Sequence, residues 1–165
     1  MGLRVNTAAQ RRSHAIQSQL MAARQAAGLS RDALGTVLSV SSRTLQDWEK
    51  CYDSPSLAHL LKWARELGFR IGLVDRLAGA EPAAPAPDDD APWELREMRR
   101  IAPPLKSRRM ARKISQTDLG LIVGVSRSSL QRWEDGEQLP RMIALIVWAD
   151  RLDLVVELHP LADGA

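Results

Sequence analysis

Residues 114–152 read ISQTDLGLIVGVSRSSLQRWEDGEQLPRMIALIVWADRL and decide the fold. Ser115 has a typical N-cap side chain, whose hydroxyl can accept a hydrogen bond from a free backbone N–H at the start of a helix. Apolar residues then recur at positions i, i+3 and i+4, the spacing of one helix face, as Leu119, Ile122 and Val123. Gly124 suits the left-handed conformation that ends many helices. The pattern predicts a helix that buries this apolar face and stops at a tight turn.

Further helices are predicted on both sides of this one. Ser126 caps the next helix, whose Leu130 and Trp133 face inward and which ends at Asp135 and Gly136. A fourth helix is predicted to open at Pro140 and to bury an apolar set: Met142, Leu145, Ile146, Ala149 and Leu152. Upstream, the segment LKSRRMARK predicts a short first helix. Two short helices joined by a turn of three or four residues form a helix-turn-helix.

The same pattern occurs twice in the chain. Residues 20–74 align without a gap onto residues 105–159 at a constant offset of 85. Identical residues at equivalent positions include Arg24/Arg109, Gly35/Gly120, Trp48/Trp133, Glu49/Glu134 and Trp63/Trp148. A mid-helix glycine costs about 1 kcal/mol relative to alanine, so Gly35 and Gly120 predict a close helix–helix crossing. The alignment indicates a duplication.

A segment rich in Pro, Ala and Asp, residues 76–92, separates the copies and is predicted to be an extended linker, because it cannot bury enough apolar surface to fold. The prediction is two domains, residues 1–75 and 93–165. Each ends in a β-like run, FRIGLV at 69–74 and LVVEL at 154–158. These runs could pair with each other as a pseudo-dimer, pair across chains in a homodimer, or pack onto their own domain's core.

Composition excludes several classes of protein. The formal net charge of +3 over 165 residues is compatible with a polyanionic partner. A single cysteine, Cys51, excludes an intramolecular disulfide, and three separated histidines provide no zinc-ligand set. We expect no metal, no cofactor and no enzymatic activity. The N-terminal residues lack the apolar run of a signal peptide, and no stretch approaches the length of a membrane span. The expected location is therefore cytoplasmic.

Residues 114–152 closely resemble the helix-turn-helix of phage repressor and Cro proteins, the XRE family, through Ser115-Gln116, Gly124-Val125-Ser126, Trp133-Glu134, Gly136 and Pro140. The resemblance implies an all-α fold of two tandem lambda-repressor-like domains in a bacterial or phage-like protein. The first copy departs from the family pattern: Arg31 replaces the usual Gln, Ser39 replaces the turn Gly, and Cys51 stands where its partner copy has Gly136.

The resemblance also implies which residues contact DNA. The base-reading positions of the third helix are Arg127, Ser128 and Arg132 in the second copy, and Ser42 and Arg43, with Asp47, in the first. Arginine can donate two hydrogen bonds to guanine O6 and N7. The backbone-contacting positions are Gln116 and its counterpart Arg31, together with Ser126. The adjoining basic run could be a solvated helix face, but its place beside the reading unit favours phosphate contact by Lys106, Arg108, Arg112 and Lys113.

Other conspicuous residues are expected to be structural. The Arg24–Glu49 and Arg109–Glu134 pairs match a family pair that ties the first helix to the third, so we predict internal salt bridges rather than phosphate ligands. Four tryptophans lie on apolar helix faces and are predicted to be core residues: Trp48, Trp63, Trp133 and Trp148.

The sequence thus predicts a DNA-binding transcriptional regulator, more often a repressor. The third helix of the second domain would read double-stranded DNA, and the first domain would assist or dimerise. The alternative is an antitoxin-like or adaptor protein whose main partner is another protein. The degenerate first copy and the strand tails motivate that alternative.

Overall fold

The computed structural model describes residues 7–82 and 90–162. The described residues form two compact units. Unit 1 runs to Ile71 and includes the residues from Leu158 onward, whereas unit 2 is Gly72–Glu157. The middle of the predicted linker, residues 83–89, lies outside the described residues.

Each unit is built on four helices that follow one another in the same order. In unit 1 these are α1 (Thr7–Ala26), α2 (Arg31–Leu38), α3 (Ser42–Glu49) and α4 (Leu57–Glu66). Strand β1 (Phe69–Asp75) follows α4. Unit 2 has α5 (Trp93–Ala111), α6 (Gln116–Val123), α7 (Arg127–Glu134) and α8 (Met142–Asp150), and strand β2 (Leu154–Pro160) follows α8.

The two strands pair with each other within the chain in a two-stranded sheet. In unit 1 the Leu161 N–H donates to the Gly68 carbonyl at 2.9 Å, beside the start of β1 and the end of β2. In unit 2 the Arg76 N–H donates to the Asp153 carbonyl at 2.9 Å, at the opposite ends of the strands. The strands are therefore antiparallel, and intrachain pairing is the predicted alternative that the structure shows.

The first helix of the second copy is longer than the sequence pattern predicts. The short helix expected from LKSRRMARK is instead α5, 19 residues long, with Pro103 and Pro104 inside it. Proline removes a backbone donor and normally breaks a helix. Here Met98 and Ile101, before the prolines, are as fully buried as Leu105 after them. Burial on both sides offsets the lost hydrogen bonds and keeps the helix continuous.

Three details of the predicted packing are wrong. Ile122, assigned to the core face of α6, is 50% exposed, and Val37, which the offset of 85 places at the equivalent core position of α2, is 58% exposed. Each of these helices has only eight residues, and the inward face is filled by Leu34 and Leu38 in one and by Leu119 in the other. Pro140 does not open the fourth helix: it is buried in the loop, and α8 begins at Met142.

The two copies keep one backbone although their sequences have diverged. Four positions have positive φ in both copies, and each is glycine in one copy only: Gly28 and Lys113, Ser39 and Gly124, Cys51 and Gly136, Gly68 and Asp153. A residue with a side chain costs about 1–2 kcal/mol in this conformation. The turns therefore persist because the packed helices on either side impose them.

The tryptophans lie in the cores, as predicted. Trp63 and Trp148 are fully buried, and their ring centroids lie 5.9 and 5.8 Å from those of Trp48 and Trp133 respectively. Each pair joins the third helix of its unit to the fourth. The third helices are thus fixed on one side by aromatic packing.

Candidate nucleic-acid interface

The turn between α6 and α7 depends on a close backbone approach. The N–H groups of Gly124 and Val125 both donate to the Gly120 carbonyl at 2.8 Å. A Cβ on Gly120 would lie 2.8 Å from the Val125 carbonyl oxygen, and one on Gly35 would meet the Val40 oxygen at the same distance. The predicted close approach is confirmed, but the partner is the turn backbone rather than the side of another helix.

A buried ion pair ties α7 to the rest of unit 2. The guanidinium of Arg109 donates to both carboxylate oxygens of Glu134, at 2.7 and 3.0 Å, and to the Ile114 carbonyl at 2.8 Å. The Gln116 amide donates to Glu134 at 2.8 Å. The Glu134 side chain has no exposed surface. The predicted internal salt bridge is confirmed, and it connects the end of α5, the start of α6 and the end of α7.

Unit 1 contains the same cluster with one more cation. Arg24 donates to both oxygens of Glu49 and to the Leu29 carbonyl. Arg31, at the position of Gln116, donates to Glu49 at 2.8 Å and keeps a third of its side chain exposed. Two arginines around one carboxylate leave this cluster with a net charge of +1, whereas the cluster in unit 2 is neutral.

Helix α7 has one buried face and one exposed face. Ser126 caps it by accepting a hydrogen bond from the Ser129 N–H, while Leu130, Trp133 and Glu134 point into the unit. The predicted base-reading residues lie on the other side: Arg127, Ser128 and Arg132 are all exposed. Neither arginine forms an ion pair with another described residue. The exposed face of α7 therefore carries two available guanidinium groups.

Gln131 belongs to the same exposed face but was not predicted as a site residue. It is exposed and follows Arg127 by one helical turn, so the two side chains are neighbours on the helix surface. The i, i+4 spacing from Arg127 was the signal in the sequence. An amide at this place can donate and accept hydrogen bonds at the edge of an adenine.

Helix α3 presents the equivalent face with different chemistry. Ser41 caps it through the Thr44 N–H, and Leu45, Trp48 and Glu49 are buried. On the opposite side, Ser42 is half-buried, and Arg43 is 82% exposed with its Nε 3.4 Å from the Asp47 carboxylate. The outer face of α3 therefore combines a cation and an anion.

The basic residues predicted to contact the DNA backbone are mostly ion-paired within unit 2. Lys106 lies 3.6 Å from Asp135, and Arg112 donates to Asp153 at 2.7 Å. Arg108 donates to the Asp75 carboxylate and, at 3.0 Å, to the Leu152 carbonyl. Among the described residues, Lys113 is exposed and forms no ion pair.

The contact between Arg108 and Asp75 is one of several that lower the pKa of Asp75. The Leu77 N–H, the Arg108 guanidinium and the Ala78 N–H all donate to Asp75, and together they hold its pKa below the usual value. Hydrogen bonding to Asp150 raises the pKa of Arg76. Both shifts stabilise the charged forms, so this end of β1 is held by full charges near neutral pH.

Two helix-turn-helix units, one with an exposed cationic third helix, define a DNA-binding protein. A model of the helix-turn-helix family matches residues 20–74 and 105–155, more than half of the chain. The chain belongs to this family, in its XRE type, and both the predicted resemblance and the tandem all-α fold are confirmed. It is thus a DNA-binding protein of a family of transcription regulators. No curated protein and no solved structure matches the chain.

Two further findings concern the described residues. No group of three or more His, Cys, Asp or Glu residues in residues 7–82 and 90–162 is arranged to hold a metal ion. No helix in the same part of the chain is long and apolar enough to span a membrane.

Proposed function

We propose that the chain is a sequence-specific transcriptional repressor that reads the major groove of its operator with α7. The observation that carries the proposal is the exposed pair Arg127 and Arg132 on a helix whose other face is fixed by Trp133 and Glu134. A rigid helix limits the entropy lost when its side chains bind. Each guanidinium can form a bidentate contact with guanine.

Phosphate contacts would position this helix on the duplex. Lys113 and Gln116 flank the start of α6, where the helix N-terminus adds a partial positive charge. Lys106 and Arg112 are exposed enough for a phosphate to replace their carboxylate partners, since a surface ion pair contributes only about 0–1 kcal/mol. These contacts carry no sequence information and fix the register of the protein on the DNA.

Repression is the mode of regulation that a chain of this kind supports most simply. Two helix-turn-helix units on a promoter exclude other proteins from the same DNA without further machinery. Since β1 pairs with β2 inside the chain, we propose that the tandem units replace the homodimer as a pseudo-dimer. A mass of one chain per operator, measured by sedimentation of the complex, would support this; two chains would contradict it.

Competition binding tests the proposal. The chain should prefer an operator selected from random duplexes over bulk DNA by a factor of at least about 10³. Lys113→Gln should weaken binding to both DNAs equally and reduce the salt slope by about 1. Glu137→Gln, at another exposed side chain, is the control for a change at the surface of unit 2. Equal affinity for operator and random DNA would refute the proposal.

An adaptor function is the second candidate, and exposed apolar residues favour it. Leu121 and Ile122 are 76% and 50% exposed on α6, which suits a protein contact better than water. A stoichiometric protein partner whose binding is insensitive to salt and is lost in Leu121→Ser would support this function. If the partner still bound the Leu121→Ser variant, α6 would not be part of the interface.

A further inference from the structure

We propose that α3 of unit 1 is a second base-reading helix with a different specificity, so the operator contains two unlike half-sites rather than a palindrome. This inference rests on the proposed function, because it assumes that α7 reads one of the half-sites. It specifies the DNA substrate: one half-site read by a pair of arginines, and another in which a guanine and a cytosine lie close together.

The backbones of the two third helices are equivalent. Each has eight residues and a serine N-cap in extended backbone, with φ −70 and ψ 154 at Ser41 and φ −70 and ψ 156 at Ser126. Each buries a Leu, a Trp and a Glu at matching positions and ends in a buried arginine–glutamate pair. The positions that α7 presents to DNA are therefore presented by α3 as well.

The side chains at those positions are not equivalent. Arg43 stands one residue further along α3 than Arg127 stands along α7, which moves the guanidinium by about 100° around the helix axis. Asp47 occupies the position of Arg132, so a hydrogen-bond acceptor replaces a donor. A base that satisfies Arg132, such as guanine with its O6 and N7 acceptors, would be repelled by Asp47.

The contact between Arg43 and Asp47 indicates which bases they would recognise. Arg43 Nε lies 3.4 Å from the Asp47 carboxylate, so the two groups are adjacent on the surface. Arginine suits guanine, and a carboxylate accepts a hydrogen bond from the N4 amino group of cytosine. In the free protein the Arg43 side chain is largely exposed and that of Asp47 is about one-third exposed, so their surface ion pair contributes little to stability. Separating the two side chains to contact a guanine and a nearby cytosine therefore costs little.

The charge of unit 1 supports DNA contact in spite of the acidic residue. The cluster of Arg24, Arg31 and Glu49 carries a net charge of +1, and Arg31 is one-third exposed at the start of α2. This additional cation is placed where a phosphate contact is expected. It offsets the repulsion between Asp47 and the DNA backbone. Asp47 would therefore act by excluding wrong bases rather than by adding affinity.

Selection of duplexes from a random pool, performed with the full chain, tests the inference. The wild-type chain should select two different half-sites at a fixed spacing. Arg43→Ala should randomise only the half-site that contains the guanine and cytosine. Asp47→Asn should reduce the preference for cytosine over other bases at that position by about five- to 150-fold, and its affinity for random DNA should increase. Arg65→Ala and Glu66→Gln, which change exposed charges on α4, should leave both half-sites unchanged.

The outcomes separate this inference from the proposed function. The pair Arg127→Ala and Arg132→Ala should randomise only the other half-site. A single half-site, two identical half-sites, or a selection that Arg43→Ala and Asp47→Asn leave unchanged would overturn the inference while α7 remains the reader. A pool in which neither pair of variants changes the sequence would overturn both. Because all four side chains lie on the outer faces of their helices, each variant should retain the wild-type circular dichroism and Tm.

Discussion

Replacement of Glu134 by alanine should destabilise unit 2 more than any surface substitution. The Glu134 carboxylate is fully buried and receives two hydrogen bonds from Arg109 and one from Gln116. Glu134→Ala leaves the guanidinium of Arg109, a residue that is only 8% exposed, without its counterion. Arg109 would retain its hydrogen bond to the Ile114 carbonyl, which satisfies one donor but does not neutralise the charge.

The expected loss is about 3–5 kcal/mol, the cost of leaving one partner of a buried pair unpaired. For a unit of this size, each kcal/mol lowers Tm by about 4–8 °C, so Tm should fall by more than about 10 °C. Most of the lost stability comes from leaving the charge of Arg109 buried and unpaired, and not from the lost attraction between Arg109 and Glu134. The double variant Arg109→Met, Glu134→Leu, which removes both charges, should therefore recover most of the stability.

Urea unfolding followed by circular dichroism measures the effect. Glu137→Ala removes an exposed acid close by in the chain and should change the free energy of unfolding by less than about 0.5 kcal/mol. A cost of Glu134→Ala no greater than that of Glu137→Ala would contradict a stabilising role for the Glu134 carboxylate. A double variant no more stable than Glu134→Ala would contradict the assignment of the loss to an unpaired charge.

Three other substitutions test single features of the structure. Gly120→Ala places a Cβ 2.8 Å from the Val125 oxygen and should cost about 1–3 kcal/mol in urea unfolding; an unchanged midpoint would contradict the close approach. Ser39→Gly removes the steric cost of a side chain at an exposed residue with a φ of 57° and should raise the free energy of unfolding by up to about 1 kcal/mol; a lower Tm would contradict this expectation. Because the pKa of Asp75 is lowered in the folded state, its contribution is complete above the unfolded pKa and is lost as pH falls through the lower folded value. Carbon-13 NMR should therefore place the Asp75 midpoint below the usual range of an aspartate in the wild type and move it upward in Arg108→Gln, whereas an unmoved midpoint would exclude the Arg108 contact as a cause.

Local signals in the sequence predict much of the fold. Serines before helical runs act as caps, as Ser115 and Ser126 do through their hydroxyl groups. The offset of 85 residues identifies equivalent positions that the structure gives equivalent conformations. Even where glycine is absent, as at Ser39, the turn keeps the left-handed backbone that Gly124 has at the equivalent position. The sequence of the second copy therefore predicts the conformation of this turn in the first.

Properties that depend on tertiary packing could not be predicted. The two prolines in α5 suggest a helix boundary, and only burial on both sides of them keeps the helix continuous. The apolar Ile122 looks like a core residue from its spacing, but an eight-residue helix has a narrow buried face. Arg108 and Arg112 form part of a basic run, and their carboxylate partners, Asp75 and Asp153, are distant in sequence.

The proposed function depends on base reading by α7 through Arg127 and Arg132. The most direct test is the affinity of Arg127→Ala for a selected operator and for random duplex at the same salt concentration. Discrimination between the two DNAs should fall by about 1–3 kcal/mol, with little change in affinity for the random duplex. Arg141→Ala, at an exposed arginine before α8, should leave discrimination unchanged. An equal loss of affinity for both DNAs would contradict base reading by α7.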